Sequence, residues 1–166
     1  MASDADLTAL AARVGDFLLS RSSRIVTAES CTGGLLAKTL TDIAGSSSWF
    51  ECGFVTYSNS SKMRDLGVSG RTLKKDGAVS EPVAREMAAG ALRVAGVDVA
   101  IAITGIAGPE GEVPGKPVGT VWFSSCMRRE EGVDLSAEQV QFPGDRAAVR
   151  RSSAEYALNL ILRLKL

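Results

Sequence analysis

Arg24-Ile25-Val26-Thr27-Ala28, followed at once by Glu29-Ser30-Cys31-Thr32-Gly33-Gly34, decides the architecture of this chain. The first five residues are a short β-branched run of strand character, and the next six are small, polar and glycine-rich. From residue 35 to residue 43 the apolar spacing turns helical, until Gly45-Ser46-Ser47-Ser48 stops it. Strand, glycine turn and helix, in that order, form the opening unit of an α/β fold.

The flanks extend the pattern. Leu7, Leu10, Val14, Phe17 and Leu18 recur at three- and four-residue intervals and predict an amphipathic helix over 5–20, with Asp4 or Asp6 as its N-cap. Residues 49–57 are aromatic and β-branched and read as a strand, residues 59–66 as a short helix ended by Gly67, and 71–77 as a polar stretch of unassigned structure. Ser80-Glu81-Pro82 offers an N-cap and a first-turn proline for a helix running to about residue 95. Residues 97–103 are apolar except for Asp98, the pattern of a strand buried on both faces. A glycine- and proline-rich loop follows over 104–117, then a strand over 118–126, a weaker strand pattern over 137–142 and a closing helix over 145–164. The last carries Val149, Ala154, Ala157, Leu158, Ile161 and Leu162 on its apolar side. About five strands interleaved with five or six helices predict a three-layer α/β/α sandwich, one domain over 1–166.

Composition narrows the function. The 166 residues, 45% of them hydrophobic, suffice for one domain with a real core. Lys+Arg 19 balance Asp+Glu 19, which leaves no electrostatic footprint for nucleic acid or an anionic membrane. No apolar stretch approaches the ~20 residues of a membrane span, and the acidic start Met1-Ala2-Ser3-Asp4-Ala5-Asp6 is unlike a signal peptide, so the cytoplasm is the default location. Cys31, Cys52 and Cys126 are too few and too far apart for a zinc ribbon or a redox pair, and Cys52 and Cys126 read as buried free thiols. The chain has no histidine. That excludes a Ser-His-Asp triad, a Cys-His dyad and every histidine-based metal cage. Neither a metal nor an organic cofactor is expected. A base for acyl transfer must then be lysine, tyrosine, a carboxylate or water.

Small and polar residues gather after the predicted strands, at 29–34, 57–62 and 104–109, and in open α/β sheets such loops converge on one crevice. Residues 32–34 are expected to open a helix whose backbone N–H groups stabilise an anion, a phosphate or an oxyanion, with Ser30 and Cys31 exposed at the turn. A plain helix cap accounts for the same residues equally well. In Tyr57-Ser58-Asn59-Ser60-Ser61-Lys62, a lysine made neutral by burial is a competent base for a serine, with Tyr57 as a possible relay, whereas an exposed lysine on a short helix is the bland alternative. The glycines of Thr104-Gly105-Ile106-Ala107-Gly108-Pro109 let backbone N–H groups approach a ligand, or simply form a tight turn. Asp145 can cap the last helix, and Arg146 can reach a phosphate or face solvent.

Taken together, Thr27-Ala28-Glu29-Ser30-Cys31-Thr32-Gly33-Gly34, Gly53-Phe54-Val55-Thr56-Tyr57-Ser58-Asn59, Gly77-Ala78-Val79-Ser80-Glu81, Thr104-Gly105-Ile106-Ala107-Gly108-Pro109, Lys116-Pro117-Val118-Gly119-Thr120-Val121 and Gly144-Asp145-Arg146 resemble the CinA C-terminal domain family, of the nicotinamide-nucleotide amidohydrolase type. The resemblance runs in order from about Leu7 to Leu160. It implies hydrolysis of nicotinamide mononucleotide to nicotinate mononucleotide and ammonia in pyridine-nucleotide salvage, and a homodimer. It implies Ser30, Tyr57, Lys62, Thr104 and Arg146 as functional positions. Larger members of the family carry an additional N-terminal domain, and this chain resembles the stand-alone form. Joined to the residue reading, the expected mechanism is attack by Ser30 with Lys62 as base, directly or through Tyr57. Backbone donors at Thr32, Gly33 and Gly34, or near Thr104 and Gly105, would hold the oxyanion, and Arg146 would bind the nucleotide. Two rivals remain open: a non-catalytic binder of a nucleotide or phosphosugar, and a hydrolase of another small amide.

Overall fold

β1 (Ile25–Glu29) lies inside a five-stranded mixed sheet of order β2-β1-β3-β4-β5. Its neighbours β2 (Phe50–Val55) and β3 (Val99–Gly105) run parallel to it, whereas β4 (Thr120–Arg128) and β5 (Val133–Gln141) run antiparallel, each to the strand before it. The computed structural model describes residues 3–166; Met1 and Ala2, part of the start read as unlike a signal peptide, lie outside the described residues.

The side-chain alternation of β1 and β3 sorts the core into two layers. Ile25, Val99, Ile101 and Ile103 face α1 (Asp4–Leu19), α2 (Leu35–Thr41) and α6 (Arg146–Leu162). Val26, Ala28, Ala100 and Ala102 face α3 (Asn59–Leu66), α4 (Gly70–Asp76) and α5 (Glu81–Ala95). The second face is built of small residues, so α5 lies close to the sheet. Gly90 continues the theme: a Cβ there would sit 1.9 Å from the Leu66 carbonyl oxygen. The expected three-layer α/β/α sandwich is the observed one.

The boundaries differ where local chemistry outweighs periodicity. Ser3, not Asp4 or Asp6, caps α1: its Oγ accepts from the Asp6 N–H (3.2 Å), and the Asp6 carboxylate accepts from the Ser3 N–H (2.7 Å). The unassigned stretch at 71–77 is α4, a polar helix capped by Ser69 and buried only through Leu73. Ser80 precedes α5 as expected but makes no cap; its hydroxyl donates to the Gly77 carbonyl at 2.8 Å. β5 begins four residues earlier than the weak pattern suggested, because it pairs with the full length of β4. Cys31 and Cys126 are buried, whereas Cys52 is only partly so. The apolar faces of α1 and α6 are buried within the chain's own core. No helix among the described residues is long and apolar enough to cross a membrane.

Candidate active site

The sheet brings the carboxyl ends of β1, β2 and β3 to one edge, and their loops meet there as the crevice rule requires. A cleft of about 270 Å³ opens at that edge, lined by Ser30, Cys31, Tyr57, Lys62, Thr104, Gly105 and Arg146 together with Ala78, Val79 and residues 106–108, 110 and 111.

Ser30 follows the last residue of β1 and is pinned on three sides. Its N–H donates to the Ile103 carbonyl (2.9 Å), its carbonyl accepts from the Gly33 N–H (3.0 Å), and its Oγ accepts from Lys62 Nζ (2.9 Å). Strand alternation sends the preceding side chain, Glu29, to the opposite face. The fully buried Glu29 carboxylate accepts from the N–H groups of Leu36 (3.0 Å) and Ala37 (2.8 Å) in the first turn of α2. This corrects the expected role of residues 32–34. Gly33 (φ +62°) and Gly34 (φ +91°) take left-handed conformations, so α2 starts only at Leu35. The anion at its N-terminus is the protein's own carboxylate. Thr32, Gly33 and Gly34 form the turn behind Ser30 and do not line the cleft.

Lys62 projects from α3, whose start is fixed by a reciprocal pair between Ser58 and Ser61. At 1% exposure it is among the largest fully buried side chains, and its Nζ also donates to the Thr56 carbonyl at 2.6 Å. Burial pulls its pKa down to about 8. The solvent-exposed alternative for this lysine does not hold. Burial pushes the Cys31 thiol up to about 12, with the Glu29 charge adding to the rise. The thiol therefore stays protonated, and the thiolate is the reactive form. The cleft thus presents a hydroxyl in contact with a buried amine, beside an inert thiol.

Tyr57 is 60% exposed at the mouth, and its Oη accepts from Arg146 Nη2 at 2.8 Å. Lys62 Nζ touches Ser30 Oγ without it, and Tyr57 ties to Arg146 instead. Arg146, the first residue of α6 after the Asp145 cap, also donates through Nη1 to the Gly108 carbonyl (2.9 Å). Thr104, buried at the end of β3, donates to the Ala78 carbonyl (2.8 Å) and joins that strand to the turn before α5. Gly105 lines the cleft, but its missing side chain is required on its other side: a Cβ would come within 2.8 Å of the Thr120 carbonyl oxygen.

Two groups escaped the sequence reading. Glu29 was legible only as part of a motif. Arg150 donates from Nε and Nη2 to the Thr32 carbonyl, at 3.2 and 2.8 Å, across 118 positions of sequence. The one signal for it was its place four residues after Arg146, on the same helix face. Among the described residues no group of three or more His, Cys, Asp or Glu side chains is placed to hold a metal ion.

Comparison with known proteins follows the same lines. The family model of the CinA C-terminal domain matches residues 7–165. The nicotinamide-nucleotide amidohydrolase PncC of Escherichia coli (strain K12) is 53% identical over 158 residues, covering 95% of this chain and 94% of its own. The protein of that name from Pseudomonas putida is 46% identical over 158 residues, with 95% and 96% covered. Among solved structures, a competence-damaged protein (CinA) superfamily protein from Escherichia coli superposes with a TM-score of 0.91 at 39% identity, covering 99% of this chain and 94% of that one.

Proposed function

This chain belongs to the CinA C-terminal domain family, and from that membership we propose that it hydrolyses the carboxamide of nicotinamide mononucleotide, releasing ammonia and nicotinate mononucleotide in pyridine-nucleotide salvage. The observation that carries the reading is the 2.9 Å contact between Ser30 Oγ and the buried Lys62 amine inside the cleft. With its pKa lowered to about 8, a useful fraction of Lys62 is neutral near pH 7 and can accept a proton.

In the proposed reaction Lys62 takes the Ser30 proton as Oγ attacks the carboxamide carbon. The tetrahedral intermediate collapses, its C–N bond breaks, and the Lys62 ammonium gives its proton to the departing nitrogen, leaving an ester on Ser30. Water, activated by the same amine, then attacks the ester, frees the carboxylate and restores the hydroxyl. Thr104 holds β3 against the turn at Ala78, and Tyr57 orients Arg146 at the mouth. The resemblance implies a homodimer, and the cytoplasm is the default location read from the sequence. The direct test is ammonia release from nicotinamide mononucleotide by the purified chain. Tight binding without turnover would favour the non-catalytic binder, and turnover of unrelated small amides at equal rates would favour a general amidase.

Two further outcomes are expected. Extensive chelation should leave turnover unchanged, because the amine supplies the base; a loss restored by one divalent ion would overturn the mechanism. The 5′-phosphate should also matter. Arg146 and the start of α6 lie at the mouth, and one charge-assisted contact is worth ~1.5–3 kcal/mol. The riboside should therefore be a poorer substrate by roughly 10- to 150-fold in kcat/KM, with part of the loss in kcat. Arg146→Ala should narrow that gap. Equal kcat/KM for nucleotide and riboside would show that the phosphate is not read.

A further inference from the structure

We infer that Arg150 is a positioning residue for the reaction, holding the turn that carries Ser30 through the Thr32 carbonyl; the inference rests on the reading of Ser30 as nucleophile. The guanidinium makes two hydrogen bonds to one backbone oxygen, from Nε (3.2 Å) and Nη2 (2.8 Å). It lies directly over Gly33, where a Cβ would come 3.2 Å from Nη2, so the glycine provides the room as well as the left-handed backbone. Thr32 itself is fully buried, and its hydroxyl has no hydrogen-bond partner, so the carbonyl is the point at which its peptide is tied.

The Thr32–Gly33 peptide transmits the tie to the nucleophile. Its other end, the Gly33 N–H, donates to the Ser30 carbonyl at 3.0 Å. A cation on the Thr32 oxygen polarises that peptide and strengthens the Gly33 donor. The side chain of Glu29 fixes the far end of the same turn by holding the first N–H groups of α2. The Ser30 turn is therefore gripped from both ends, by a carboxylate on its own strand and by a guanidinium from the last helix. Among the described residues no carboxylate forms an ion pair with Arg150. A half-buried cation given only a neutral acceptor costs stability, which a purely structural tie does not require. Misplacing a reacting group by about 1 Å can lower turnover 10²-fold, which is the scale on which such a clamp acts.

Arg150→Met keeps the apolar stem and removes the donors; Arg150→Lys keeps the charge but cannot make both bonds. The two variants and the wild-type chain are compared in kcat and KM on nicotinamide mononucleotide, and in the rate at which a fluorophosphonate labels Ser30, a readout that needs no knowledge of the substrate. Arg150→Met is expected to lower kcat and the labelling rate together by roughly 10- to 100-fold, with KM nearly unchanged, and millimolar guanidinium should restore part of both. Arg150→Lys should fall between the two and decides the matter alone if the Met variant does not fold. Wild-type labelling and kcat in a folded variant, or a change confined to KM, would overturn the inference. A wild-type chain that labels at Ser30 yet releases no ammonia would defeat the substrate reading only, because the ratio of labelling rates still reports on Arg150.

Discussion

Ser30→Ala is expected to lower kcat for ammonia release by roughly 10⁴-fold or more, the scale on which the loss of an activated serine nucleophile is felt. Substrate binding should survive, because the substitution removes one oxygen from a cleft whose walls are set by five separate segments. Cys31→Ala should keep most of its turnover. The two side chains are adjacent and both line the cleft, yet the Cys31 thiol is pushed up to about 12 and is not available as a thiolate, whereas Ser30 Oγ touches the amine that can deprotonate it. The pair of variants is the informative measurement. Near-complete loss in Cys31→Ala beside an active Ser30→Ala would reverse the roles of the two residues.

Lys62→Met should be as damaging to turnover, by about 10³-fold or more, and should differ from the serine variant in its dependence on pH. In the proposed mechanism the neutral amine is the active form, so kcat/KM should rise with pH, pass half-maximum near pH 8 and level off above it. Stability carries a second signature of the same group. The folded pKa lies below the ordinary 10.5, so between about pH 8 and 10.5 the unfolded chain holds a proton that the folded chain has shed. Wild-type stability should therefore gain from this group as pH rises through that window, and below it the fold bears the full cost of a buried charge. Lys62→Met removes the cost along with the catalysis. Its Tm at pH 7 should equal or exceed that of the wild type, and the difference should shrink as pH climbs from 8 toward 10.5. Parallel curves for the two chains across the window would show that Lys62 is not the group held below its ordinary pKa.

Much of the fold was legible because its signals are local. The β-branched run from Ile25 to Thr27, the glycines after it and the helical spacing from Leu35 place a strand, a turn and a helix without any knowledge of the rest. The run at 99–103 reads as a doubly buried strand because both of its faces are covered. α4 was not legible, since a seven-residue polar helix with one buried leucine has almost no periodicity to detect. The site divides in the same way. Ser30, Tyr57, Lys62, Thr104, Gly105 and Arg146 stand together in the cleft, and what drew attention to them was loop composition and a motif resemblance. The turn at 32–34 was misplaced because Ser, Thr and Gly at a helix start look alike whether they offer donors to a ligand or carry the chain around a bend. Only the paired bonds to Glu29 distinguish the two cases. Arg150 had no local signal strong enough to set it apart from an ordinary helix-surface arginine, because its partner is more than a hundred residues away.

The position of α6 bears on how the molecule comes into being. It is the last element of the chain, and it delivers Arg146 to the mouth of the cleft and Arg150 to the turn beneath Ser30. Synthesis proceeds from the amino terminus, so the first 145 residues are joined before either arginine exists to reach its partner. Every nascent fragment that stops short of α6 holds Ser30 and Lys62 but lacks the side chains that steady one end of the cleft and frame the other. The cleft is therefore framed only once α6 has been made.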